Sequence, residues 1–523
     1  MFGLLAEPPI RNNRAQIQTA RGSSIPPSVG GLNVRDELAD MDPRDATLLD
    51  NLFPRANDVA LRKGHASHAT GMSGTIQTLP QWGGPSSNKL KACVDGKIYD
   101  VTSAGAVGAA EVSGLSVNKW QWVNFATSGG KFLVMVNGTD AVRNYDGTSW
   151  TTPAITGSGL ASSAAFIQVI SFKKRLWFVE KDTPDAWYLP VTSIAGTAVK
   201  FGLGDQFKMG GKLQAIGTMS RDAGDGSDDY LVFISTKGEI SVWQGTDPAS
   251  AVTWALVGNY RVGFPIGNRA TVDVAGDLGV ISSDGIVSVN QMMQLDRASS
   301  ARAAITNKIQ TLFNQYVNSY SANDGWQPLV YPRGNYALFN VPFSSTQYVQ
   351  LVMNTITGSW CRFTGLNGFC WGLLGDDLYF GGTNGVVYKA DTGYQDNGGV
   401  ITADIRTAWN YFGDANRGVQ KFFTFARPVF STDGSPSVLF NLNTDFQNLD
   451  PTGSISASAP ANTLWGTALW GAGQWGGDGT VITNWNNPQA IGYCAAARMR
   501  ITASGASFML NSFDIQMQRG GPI

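Results

Sequence analysis

The sequence predicts an all-β chain: an irregular six- or seven-bladed β-propeller with an extended N-terminal arm and a C-terminal antiparallel β-domain. Three observations predict it. Between residues 76 and 398, short apolar runs broken by Gly, Asp and Asn recur with one grammar. Their spacing is irregular, on the order of 40 to 60 residues, which is the period of four-stranded blades. Before residue 76 the chain is rich in Pro and Gly pairs, and after about residue 400 the repeat gives way to longer alternating runs.

The arm, residues 1–75, carries Pro8-Pro9, Pro26-Pro27 and Gly30-Gly31. One short helix is expected in it. Asp42 can cap that helix, Pro43 suits its first position, and Asp45 favours its positive end. Leu48, Leu49 and Leu52 supply an apolar stripe, and Pro54 stops it. The arm has too few apolar residues to fold alone, so it must lie on something.

The propeller grammar is clearest from Trp371 to Asp391. Leu378 to Phe380 reads as a strand, Thr383-Asn384-Gly385 as a tight turn, and Val386 to Tyr388 as the returning strand. Asn-Gly supplies the positive φ angles of a hairpin turn. The pattern recurs from Phe132 to Gly147, Arg175 to Tyr188, Tyr230 to Trp243, Leu278 to Val289 and Tyr336 to Trp360, with half a copy at Lys97 to Val101. A β-sandwich or two unrelated β-domains are the competing readings. One helix interrupts the blades near residues 300–318, where Ile305, Ile309, Leu312, Phe313 and Tyr316 share a helical stripe. Ser299 or Ser300 could cap it.

In the C-terminal β-domain, residues 399–523, strands are expected at Ile401 to Trp409, Phe422 to Phe430, Ser437 to Leu442, Ala495 to Ile501 and Phe508 to Gln516. Trp465, Trp470 and Trp475 recur every five positions, which fits neither helix nor strand. They read as a looped segment that stacks on a sugar or partner, plugs the domain, or meets another subunit.

Composition narrows the function classes. Of 523 residues, 43% are hydrophobic and 15% charged, and the net charge is -1. Disorder is excluded, and a whole-chain basic footprint for nucleic acid is missing. No apolar run approaches the roughly 20 residues of a membrane span. Met1 to Ala6 lacks the pattern of a signal peptide. Cys93, Cys361, Cys370 and Cys494 fit no zinc spacing and read as reduced, buried thiols suited to a reducing cytoplasm.

No catalytic constellation emerges, and no cofactor or metal is expected. The two histidines, His65 and His68, are far in sequence from any nucleophile motif, and no phosphate loop or dinucleotide fingerprint is present. Asp146, Asp284 and Asp433 each precede Gly and read as turn residues. The Asp222–Asp229 cluster could wrap a calcium ion but lacks the closing Glu of the helix-loop-helix motif, and a solvated loop is the simpler reading. Arg11, Arg14 and Arg21, Lys173-Lys174-Arg175, Arg297 and Arg302, and Arg498 and Arg500 read as solvated surface or contacts.

Both ends carry a resemblance. The arm holds Gly30-Gly31-Leu32-Asn33, Asp42-Pro43-Arg44-Asp45-Ala46, Leu52-Phe53-Pro54-Arg55 and Val59-Ala60-Leu61-Arg62-Lys63-Gly64. The C-terminal part holds Trp409-Asn410-Tyr411-Phe412-Gly413, Gln420-Lys421, Ala426-Arg427-Pro428, Pro436-Ser437-Val438, the run from Leu464 to Gly471, Ala497-Arg498-Met499-Arg500, Ser512-Phe513-Asp514 and Arg519-Gly520-Gly521. In this order the motifs resemble the β-propeller tail nozzle, or tail-tube, proteins of short-tailed bacteriophages; the blades between match only in style.

The resemblance implies a non-enzymatic virion protein, assembled in the host cytoplasm and placed in the tail. It implies a hexameric ring that passes double-stranded DNA without sequence preference. A head–tail adaptor would dock above, and a distal tip, needle or fibre protein below or outside. The near-neutral charge agrees with a conduit, since gripping phosphates would retard passage. Head-to-tail contact can close such a ring, and Gly31, Leu32, Asn33, Arg44, Trp465, Trp470 and Trp475 are the candidate contact residues. Two other classes compete: a sugar-recognising receptor-binding propeller, and a glycan-degrading enzyme with paired carboxylates on the axial face.

Overall fold

The computed structural model describes residues 21–222, 227–274, 276–295, 299, 304–413, 417–457 and 479–520. Seven small antiparallel sheets follow one another along the chain, and the first strand of each touches the first strand of the next. Those innermost strands are Gln81–Gly83, Gln121–Thr127, Phe166–Phe172, Leu213–Asp222, Thr271–Val274, Gln327–Tyr331 and Gly368–Leu374. The seventh contacts the first, so the ring closes as a seven-bladed propeller.

Local chemistry makes the blades. Asn88–Val94 and Lys97–Asp100 are joined by Asp95 and Gly96, at φ 49° and 66°. Both angles are positive, as a two-residue hairpin turn requires. The expected turn at Asn384-Gly385 is present too: Gly385 has φ 74°, and a Cβ there would stand 2.2 Å from the Met72 carbonyl oxygen. Lys173 and Lys174 form another such turn, at φ 46° and 59°, between Phe172 and Arg175. This basic cluster therefore includes two non-glycine residues held in left-handed backbone. Successive blades bury apolar faces against each other. Between blades three and four, Trp177, Phe201, Phe233 and Trp254 stack within one cluster.

The ring is closed by the arm. Strand His65–Thr70 pairs antiparallel with Val387–Ala390 and completes blade seven. The propeller thus begins before residue 76. The inserted helix spans Gln310–Tyr320, after a short turn of 3-10 helix at Asn307–Ile309. It buries Phe313, Tyr316 and Val317 and has no side-chain cap, and Ser300 lies outside the described residues.

The rest of the arm is a correction to expectation. Residues 45–54 form two strands, Asp45–Asp50 and Leu52–Pro54, in place of a helix. Asp42 accepts the Arg44 backbone N–H at 2.8 Å and shapes a turn. Leu49 pairs with Ile405, on a strand far downstream. Tertiary pairing has overridden a helical stripe.

Arm and C-terminal part build one β-sandwich. One sheet runs Thr480–Ile482, Lys421–Thr432, Met509–Arg519, Val59–Leu61 and Leu52–Pro54; Arg21–Ile25 and Ala490–Gly492 add to it. The other runs Asp45–Asp50, Ile401–Thr407, Ala495–Ala503, Ser437–Thr444 and Gly453–Ile455. All five expected C-terminal strands are present, with ends shifted by a few residues. Phe440 stacks on Phe513 at 5.9 Å, and Phe430 lies 4.8 Å from Phe508. Asp50 sits beside Arg362 of blade six, so the second sheet continues into the propeller.

Candidate functional site

The expected contact residues have different fates. Gly31 has φ 81°, and a Cβ there would stand 2.6 Å from both the backbone nitrogen and oxygen of Trp360. Leu32 and Asn33 are buried. Asn33 donates to Asp36 at 2.8 Å and Asp45 at 2.7 Å, and it accepts from the Arg35 and Asp36 backbone. These three residues fasten the arm within its own chain. Arg44 is exposed and pairs with Asp42. Trp465, Trp470 and Trp475 lie outside the described residues, as do positions 223–226 of the Asp222–Asp229 cluster. Asp229 of that cluster accepts from Lys173 at 2.6 Å and Ser220 at 2.7 Å.

The junction between sandwich and propeller is ionic. The Asp50 carboxylate receives Arg362 through both oxygens, at 2.7 and 2.6 Å, while the same guanidinium donates to the Tyr316 hydroxyl at 2.9 Å. Arg62 is buried and donates to Asn51 at 2.8 Å, to the Thr364 carbonyl at 2.8 Å and to both oxygens of Asp396 at 2.8 and 2.6 Å. His65 approaches Asp396 at 3.2 Å. Burial alone would push Asp396 up, but the bonds from Arg62 and His65 hold it below the usual carboxylate range. Both histidines serve the fold: His65 packs edge-on against Phe380 and Tyr388, and His68 bonds the Val101 carbonyl at 3.0 Å.

A cleft of about 230 Å³ opens at this junction, floored by Phe53, Tyr336, Phe363 and Trp371 and edged by Arg333 and Asp391. Burial raises the Asp391 carboxyl, which accepts from the Tyr331 hydroxyl at 3.2 Å. On the second sandwich sheet, beside Asp50, Arg498 and Arg500 converge on Asp404 at 2.7 and 3.0 Å. This basic pair belongs to an internal ion network.

Two features escaped the sequence reading. The outer face of the first sandwich sheet exposes Phe422, Phe425, Val481, Trp485 and Ile491, with the Arg427 guanidinium 4.4 Å from the Trp485 ring centre. A bulge between Phe423 and Phe425 shifts the alternation and turns Phe425 outward. The second feature is the propeller axis. Two cavities of about 170 and 290 Å³ lie along it, and Arg269 lines both. Its guanidinium donates to Gln327 of blade six at 2.8 Å, to Thr78 at 3.0 Å and Gln77 at 3.4 Å before blade one, and to the Trp120 carbonyl before blade two at 3.0 Å. Arg269 itself precedes blade five, so one side chain spans the axis between four blades. The lining of these cavities contains one carboxylate, Asp324, paired with Lys119.

Among the described residues no helix is long and apolar enough to cross a membrane. All four cysteines are buried free thiols, and burial holds Cys370 up to about 12.

No protein-family profile matches the chain, and no curated protein matches it. Solved structures similar to it include BBS1N, at 10% identity and TM-score 0.41 over 64% of this chain and 99% of that one. The WD40 β-propeller domain of Doa1 aligns at 10% identity and TM-score 0.36, covering 62% and 96% of the two chains. YCF48 aligns at 12% identity and TM-score 0.34, covering 66% and 98%.

Proposed function

We propose that this chain is a structural, non-enzymatic subunit of a short-tailed phage tail nozzle. In this reading, six copies close a ring in the virion tail after assembly in the host cytoplasm. The ring meets the head–tail adaptor above and a distal tip, needle or fibre protein below, and double-stranded DNA passes through it without sequence preference. One observation carries the reading: motifs of the resemblance that lie among the described residues, far apart in sequence, converge on a single sandwich. Gly31–Leu32 lie beside Asp45–Asp50, and Ala497 to Arg500 and Ser512 to Asp514 sit on strands of the same two sheets. A motif set that co-folds into one module is what a shared assembly domain requires.

The axis supports a corollary. Arg269 and its partners cross the propeller's own centre, so a DNA path belongs between copies and never through a blade ring. Electron-microscopic averaging of the particle, alone and with the neighbouring adaptor ring, tests the proposal. A sixfold ring around a duplex-wide channel is expected. Separate discs in both samples would overturn it.

A further inference from the structure

The axial cavity holds an uncompensated cation. Arg269 makes four hydrogen bonds, all to neutral acceptors: an amide oxygen, a hydroxyl and two backbone carbonyls. No carboxylate of the described residues lies in ion-pair reach of it. The ionisable groups that act on it are the Cys93 and Cys370 thiols, which burial keeps neutral. All four bonds leave from Nη1 and Nη2, so the Nε–H has no acceptor among the described residues. Arg269 is half-buried, and a partly desolvated cation without a counter-charge leaves its charge open to an anion that reaches the cavity. The blade-spanning bonds account for the side chain's reach and leave its charge without a use, because neutral donors could serve the same acceptors.

The surroundings say what anion would fit. The side-chain amides of Gln77 and Asn268 border the cavity of about 170 Å³ and bond no group among the described residues, and Gln121 reaches the Asn268 carbonyl only at 3.4 Å. Such amides present both donors and acceptors, which match hydroxyl groups. Trp326 and Phe369 add apolar wall there, and Trp122 and Trp371 line the second cavity, of about 290 Å³. A guanidinium for charge, free amides for hydroxyls and aromatic walls for ring carbons form one recognition set.

We propose that the propeller axis binds a compact carboxylate bearing hydroxyl groups, of the sugar-acid class, with Arg269 as its charge partner. The site is independent of the ring proposal and stands whether or not copies of the chain assemble.

Calorimetric titration of the full chain with glucuronate, glucose and acetate at constant ionic strength tests it. Saturable glucuronate binding is expected, tighter than that of either control. In Arg269→Gln the glucuronate affinity should fall by roughly ten- to a hundredfold, the loss of one charge-assisted contact. Since Arg269 also links blades, Asn268→Glu provides a second variant: an exposed rim position places a carboxylate beside Arg269 and should abolish binding while the fold persists. Glucuronate bound no tighter than glucose or acetate, or bound equally well by either folded variant, would overturn the proposal. A glucuronate-ended oligosaccharide, run alongside, assigns the source. Binding of monomer and oligomer alike points to the end group of a polymer, and binding of the monomer alone points to a free acid.

Discussion

Replacing Arg62 by Met should unfasten the closing strand of the propeller. Arg62 lies just ahead of His65–Thr70, and its guanidinium ties Asn51, the Thr364 carbonyl and Asp396 together. Met keeps much of the volume and removes the charge, leaving Asp396 with His65 as its remaining ionisable partner. Breaking a buried pair from one side costs about 3–5 kcal/mol. The Arg62 side chain is 2% exposed and that of Asp396 15%, so about 4 kcal/mol is expected at pH 7. The chain is too long for a two-state treatment, and hydrogen exchange of the His65–Thr70 amides reads the local opening instead. At 1.4 kcal/mol per tenfold, protection should fall by roughly a thousandfold. The pH dependence has a definite sign. The folded-state pKa of Asp396 is depressed, so its contribution is present above the unfolded carboxylate pKa and is lost as pH falls through the folded one. The variant lacks that depression and protonates Asp396 sooner. The gap between the two proteins should therefore narrow below about pH 4. A loss of under about 1 kcal/mol at neutral pH, or a gap that does not narrow as pH falls well below about 4, would refute the reasoning. Adding Asp396→Asn to Arg62→Met should restore part of the protection, because the orphaned charge is gone.

Two further outcomes are expected. Gly31→Ala should destabilise the sandwich by about 2 kcal/mol or more, since left-handed backbone costs a non-glycine residue roughly 1–2 kcal/mol and the Trp360 backbone stands in the way; limited proteolysis of the arm in wild type and variant would reveal it. Lys174→Gly should stabilise blade three by about 1 kcal/mol, because the residue is exposed at φ 59° in a two-residue turn; a denaturant midpoint unchanged or lowered would count against that.

What was legible in the sequence was local. Asn384-Gly385 announces its turn because Gly385 supplies a positive φ on its own. The Lys173-Lys174 turn announces nothing, since lysine has no preference for positive φ and the strands around it impose the shape. The arm's leucines gave the wrong element because the group that settles them is remote: Thr47 and Arg406, hydrogen-bonded here, are 359 positions apart. Blade closure by His65–Thr70 is hidden for the same reason. Of the candidate contact residues, Asn33 and Leu32 looked available only while the strands that bury them were unknown. Arg269 carries no motif at all; its role arises from partners contributed by three other blades.

The weaving of both chain regions into one sandwich has a consequence for synthesis. Arg21–Ile25 and the hairpin of Leu52–Pro54 and Val59–Leu61 pair with Met509–Arg519, so the edges they offer that strand stay open on the ribosome while every blade is translated. Such sequence-distant pairing is slow to form and leaves strand edges open in the meantime. The delay also acts as a timer. A half-made chain can hold finished blades, yet the module that joins both chain regions does not exist until translation has passed Arg519.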